Sequence, residues 1–303
     1  MDSHPPLTTA DVPPKFLKSA FLVGHIPLKA LSVDPRVSYS LFVTPEHYNP
    51  NPASPLHTLP LIPLLIVVHG TSRRTSQLLS KLVAFAHSQR CAVLCPMFPA
   101  VLSSRTLRSD VAVLGMLEEV AQRWPGIDAR KVFMMGFSGG GQFVHRFLYL
   151  NPERLQAVSV GAPGRVTRLD ETLSWPAGVK DVEEKFEKKI DKEKIMAVRN
   201  IQLVVGSEDN EVHGGKDFWA WRDEMNDTSR PKKIGKSSGG DGMETMRMGR
   251  LETLQKLQES WRVDGIEAQL DIIPGVAHNS EGVLDAVLDF LRPLIIEVHR
   301  RKE

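Results

Sequence analysis

The sequence predicts a three-layer α/β fold in one domain, and three observations carry that prediction. Apolar runs of strand length alternate with longer amphipathic stretches from about residue 64 onward. One of those runs leads directly into a glycine-rich turn that carries a serine, and an apolar-periodic stretch follows it. The chain has 303 residues, enough for one large core without a second full domain.

Residues 64–68, 92–95, 132–135, 157–160, 201–205 and 268–273 read as short buried strands. Helical patterns lie between most of them. Alternation of this kind implies parallel strands, right-handed crossovers and helices on both faces of the sheet. Residues 38–43 (SYSLFV) alternate polar and apolar, as an outer antiparallel strand would. Residues 46–63 are proline-rich and read as a loop, and residues 1–20 as an N-terminal extension.

Two stretches interrupt the alternation. In residues 164–200, Val179, Val182, Phe186 and Ile190 recur at helical spacing among many Lys and Glu, which predicts a surface helix in a lid-like insertion. Residues 226–242 (NDTSRPKKIGKSSGGDG) are polar and predict a flexible loop.

Composition excludes several classes. The formal charge of +2 argues against a nucleic-acid surface. No apolar stretch is long enough to cross a bilayer, and the first residues lack a basic-then-apolar signal pattern. Cys91 and Cys95 lie four residues apart in one apolar run, and if that run is a strand they are too distant for a disulfide. Reduced thiols are therefore expected, and with them a cytoplasmic location.

Gly136-Phe137-Ser138-Gly139-Gly140 is a G-x-S-x-G pentapeptide. It is weak alone, but its strand–turn–helix setting is the one that exposes a nucleophilic serine at a sheet edge. The alternative is a serine that caps the helix after a glycine turn. A serine needs a base, and histidine titrates near neutrality. His278 follows the strand 268–273 in a loop before a final predicted helix, 282–298, at the carboxyl edge where open parallel sheets bind ligands. The orienting acid should follow strand 201–205, where Glu208 and Asp209 compete, with Asp217 further along. The strand 64–68 ends in His69-Gly70-Thr71, so oxyanion donors are expected from the backbone N–H groups of Thr71 and Gly139. His69 and His145 read as structural, and Arg73 and Arg74 as candidates to meet a substrate carboxylate.

With these pieces in place, VVHGT, GFSGGGQFVHRF, VVGSEDN and IPGVAH together resemble the α/β-hydrolase family, in its esterase and depolymerase-like branch. The resemblance spans about residues 64–291. It implies an eight-stranded, mostly parallel sheet and acyl transfer by Ser138, His278 and an acid, without metal or cofactor. Its strand–Gly–x–x–Asp spacing selects Asp209. The implied partner is a small or medium apolar ester or acyl compound, with no nucleic acid and no membrane; a homodimer is compatible with it. Met97, Phe98, Phe137 and Trp219 are expected to line the pocket. The same three residues could serve thioester, lactone, amide or carbon–carbon cleavage, or a tailoring step, and a non-catalytic binding protein on this fold is the remaining reading. The three consecutive glycines after Ser138 leave either space for a substrate or close packing against a strand.

Overall fold

The computed structural model describes residues 7–48, 60–98, 108–210 and 248–302. The described strands are β1 (His25–Ala30), β2 (Ser38–Phe42), β3 (Ile62–Val68), β4 (Ala92–Met97), β5 (Ile127–Phe137), β6 (Leu155–Gly161), β7 (Ile201–Gly206) and β8 (Gln269–Ile273). They form one open sheet in the order β1-β2-β4-β3-β5-β6-β7-β8. Strands β3 to β8 are mutually parallel, whereas β2 runs antiparallel to both β1 and β4.

The sheet is mostly parallel because its central strands are apolar on both faces. In β3, Leu64, Ile66 and Val68 point into one core and Leu65 and Val67 into the other. Each fully buried side chain of this size contributes about 1.5–3 kcal/mol. The described helices are α1 (Leu17–Ala20), α2 (Pro45–Tyr48), α3 (Thr75–Gln89), α4 (Ser109–Arg123), α5 (Gly139–Leu150), α6 (Val182–Phe186), α7 (Lys192–Met196), α8 (Arg250–Val263) and α9 (Leu284–Arg300). Helices α4, α5 and α8 cover the first face, and α3 and α9 the second. Cys91 and Cys95 are free and buried in the second core, where burial pushes both thiol pKa values up, to about 12 for Cys91.

Two strands depart from the sequence expectation. β1 had no pattern to reveal it: only Ile26 is buried, and Pro27 is tolerated because this is an edge strand. Lys29 pairs with Glu119 of α4, which also accepts from Tyr39 Oη of β2 at 2.8 Å. β8, expected to be buried, is the opposite edge and is partly exposed, with Ile272 at 40%.

Residues 164–200 do not form a long surface helix. Glu187 adopts a left-handed conformation (φ 56°) and ends α6 after five residues. The helical spacing reflects burial of Val179, Val182 and Phe186 against the core, with Trp175 and Phe186 ring centroids 4.9 Å apart. This segment clamps α5 through Thr167. Its N–H donates to His145 Nε2 (2.9 Å), its hydroxyl accepts from Arg146 Nε (3.0 Å), and its carbonyl accepts from Tyr149 Oη (2.9 Å). Among the described residues, no helix is long and apolar enough to cross a membrane.

His145 is fully buried and bonded at both nitrogens, Nδ1–H donating to Gly141 C=O at 3.0 Å. Burial holds its pKa down, to about 3. The unfolded chain therefore takes up a proton near pH 6.5 that the native ring refuses until about pH 3. The contribution of the neutral ring is complete above pH 6.5 and is lost as pH falls toward 3. Burial lowers His47, His69 and His299 as well, so they act in the same direction. Urea denaturation across pH 7 to 4 should show falling stability. His145→Gln should flatten the slope by up to about 1.4 kcal/mol per pH unit; an unchanged slope would contradict the assignment.

Candidate active site

Strand β5 delivers the serine. Ser138 sits between β5 and α5 with φ 57° and ψ −116°, a conformation that costs a non-glycine residue about 1–3 kcal/mol. Packing enforces it. Ser138 N–H donates to Gly161 C=O of β6 at 2.8 Å, and Ser138 C=O accepts from Gln142 N–H at 3.0 Å. The consecutive glycines serve close packing. A Cβ on Gly140 would lie 2.3 Å from Val68 O of β3, and one on Gly141 would lie 2.3 Å from Gly161 O. The start of α5 is thus wedged between two strands at backbone contact. The first N–H groups of α5, from Gly139 onward, have no intrahelical acceptor and lie beside Ser138.

The other two residues are brought together by neighbouring parallel strands. Asp209 follows β7, and His278 follows β8. Their loops are tied by three hydrogen bonds: Ser207 N–H to Ile273 O, Glu208 N–H to Val276 O and Gly275 N–H to Ser207 Oγ, each 2.9 Å. His278 Nδ1 lies 2.7 Å from Asp209 Oδ2. A carboxylate accepts, so Nδ1 carries the proton and Nε2 is left as a lone-pair base. Asp209 is fully buried, whereas Glu208 is exposed, which separates the two competing carboxylates. Asp217 lies outside the described residues.

Ser138, His278, Gly70, Thr71 and Phe137 line one cleft of about 380 Å³. Among the described residues no hydrogen bond joins the Ser138 hydroxyl to the His278 ring; such pairs are commonly long without ligand. A Cβ on Gly70 would lie 3.8 Å from Ser138 Cβ, so the loop after β3 passes directly beside the serine. Thr71 is exposed at the cleft. Phe137 both lines the cleft and packs on His278, with ring centroids 4.8 Å apart.

Two expected pocket residues lie elsewhere. Phe98 turns inward and is fully buried, 5.3 Å from the His69 ring and 5.0 Å from Phe143. Met97 is partly buried at the end of β4 and is not among the described residues that line the cleft. Trp219 and residues 226–242 lie outside the described residues. No residue of 164–200 lines the cleft. His69 bonds Gly70 C=O through Nδ1 (2.7 Å) and accepts from Phe98 N–H at 3.4 Å, and burial lowers its pKa. It packs the loop as expected. Arg74 lines the cleft mouth.

Arg250, at the start of α8, had no sequence signal. Its Nη1 lies 3.4 Å from Asp209 Oδ1, and the Arg250 and Leu251 N–H groups donate to Asp209 C=O at 3.1 and 3.3 Å. Asp209 is therefore held by His278 on one oxygen and by α8 on the other side. Among the described residues no three His, Cys, Asp or Glu side chains cluster as metal ligands would.

No family model matches the chain. No curated protein matches it either. Solved structures do. LpqC, a poly(3-hydroxybutyrate) depolymerase from Bordetella parapertussis, is 17% identical with a TM-score of 0.60, over 94% of each chain. Poly(aspartic acid) hydrolase-1 from Sphingomonas sp. KT-1 is 18% identical with a TM-score of 0.59, over 84% of this chain and 92% of that one. FphF, a fluorophosphonate-binding serine hydrolase of Staphylococcus aureus, is 12% identical with a TM-score of 0.52, over 90% and 99%. With its strand order, this likeness establishes the α/β-hydrolase fold.

The contact between the two loops makes a direct prediction. A Cβ on Gly206 would lie 1.9 Å from Val276 O, so Gly206→Ala must push the His278 loop away from β7. The urea midpoint should fall by the equivalent of about 1–3 kcal/mol. A variant as stable as wild type would show that the two loops are not so closely joined.

Proposed function

We propose that this α/β-hydrolase-fold chain is a serine hydrolase that cleaves a carboxylic ester, with Ser138 as nucleophile, His278 as general base and Asp209 as the orienting acid. One observation carries the reading: a histidine bonded at 2.7 Å to a buried carboxylate shares a cleft with a serine held in a strained turn. Similar solved structures named as a depolymerase and as hydrolases, at 12–18% identity, support it through the fold they share.

In this reading His278 Nε2 takes the Ser138 proton as Oγ bonds to the acyl carbon. Asp209 holds the ring in the required tautomer and stabilises the imidazolium. The developing oxyanion is met by the N–H groups of Gly139 and Thr71, and each such donor contributes about 10²–10³ in rate. The bond from acyl carbon to alcohol oxygen then breaks, and His278 returns its proton to the departing alcohol. Water, deprotonated in turn by His278, releases the acid and frees Ser138. The partner is a small or medium apolar ester.

A fluorophosphonate probe should label wild type and not Ser138→Ala. On a p-nitrophenyl ester, Asp209→Asn should lower kcat about 10³–10⁴-fold, whereas Glu208→Gln, exposed and outside the pair, should change it less than about threefold. No labelling of wild type, or equal labelling of both proteins, would overturn the reading.

A further inference from the structure

As His278 takes the Ser138 proton, its ring becomes positively charged, and the residues around it answer that charge unevenly. Asp209 Oδ2 lies 2.7 Å from Nδ1. The same carboxylate also faces Arg250, whose Nη1 lies 3.4 Å from Oδ1. The guanidinium offsets part of the negative charge that an imidazolium would otherwise meet. A further stabiliser is therefore to be sought over the face of the ring.

Phe137 lies there. The two ring centroids are 4.8 Å apart and the planes are inclined by 34°, so the rings meet closer to face-on than edge-on. Packing holds the phenyl ring in place. Phe137 is the last residue of β5 and the register partner of Gly161 in β6. A Cβ on Gly161 would lie 2.8 Å from Phe137 Cδ2, so the ring rests where a side chain at position 161 would stand. The face of a benzene ring is its negative side and attracts a cation within about 6 Å of the centroid. The charged His278 ring meets that condition. Phe137 is half-buried in the cleft wall, where water competes less for the charge than in bulk.

We propose that Phe137 is a positioning residue that acts through His278: its ring face orients the imidazole and stabilises the imidazolium formed in each half of the reaction. The proposal rests on the hydrolase reading above. It assigns to residue 137 a role that an aliphatic side chain of equal volume would not fill.

Fluorination separates the charge effect from packing, because it drains the ring face while leaving shape nearly unchanged. Phe137 is replaced in turn by 4-fluoro-, 3,5-difluoro- and 3,4,5-trifluorophenylalanine, which leave the Cδ positions beside Gly161 bare. With p-nitrophenyl acetate, kcat should fall stepwise along the series, by about three- to thirty-fold at the end of it. KM should hold, because the charge exists only during the reaction. Fluorophosphonate labelling should slow in the same order, and the urea midpoint should stay in place. A flat series in proteins that still react would overturn the proposal and leave the hydrolase reading standing. Failure of wild type to label at all would sink that reading, and the proposal with it.

Discussion

Helix α5 enters the molecule between β3 and β6 at backbone-contact distance, and the cleft is built around that approach. At Gly140 and Gly141 the helix backbone occupies the space that two Cβ atoms would need. The wedge does two things at once. It forces the preceding residue, Ser138, into a conformation that an unconstrained serine would abandon. It also brings the positive end of the helix dipole to the same place. The strain is sustained by the two fully buried cores that flank the sheet.

A second close approach, between β7 and β8, joins the acid to the base. Parallel neighbours in register place the ends of their loops side by side, and the loops then share backbone hydrogen bonds. The short His278–Asp209 bond is thus a product of sheet register rather than of a long flexible search. Burial of Asp209 would be costly for an unpaired carboxylate. It is offset by His278 on one oxygen and by Arg250 near the other.

The parts that sequence revealed are those where burial is complete. β3 is buried along its whole length and appears as an unbroken apolar run, and β5, β6 and β7 are buried over the mostly apolar stretches 132–135, 157–160 and 201–205. Edge position hid β1, whose pattern is mostly exposed, and made β8 more exposed than its composition suggests. Helical spacing in residues 164–200 found a helix, Val182–Phe186, but only a short one, because turns bury the flanking Val179 at the same interval as a helix would. Phe98 misled because a residue just past a strand can turn inward toward the core as readily as toward a cleft. Strand ends narrowed the acid to Glu208 or Asp209 and the family resemblance implied Asp209, the one that lies beside His278, but nothing local pointed to Arg250, whose partner lies 41 residues earlier in the chain.

The two cysteines have a consequence of their own. Both thiols sit in the layer between the sheet and helices α3 and α9, and burial suppresses their thiolate forms. Alkylating reagents attack thiolates, so they meet almost none while that layer is closed. Any reaction at Cys91 or Cys95 therefore counts how often this half of the core parts from the sheet. The molecule carries its own clock for that motion, and the clock needs neither a substrate nor an introduced label.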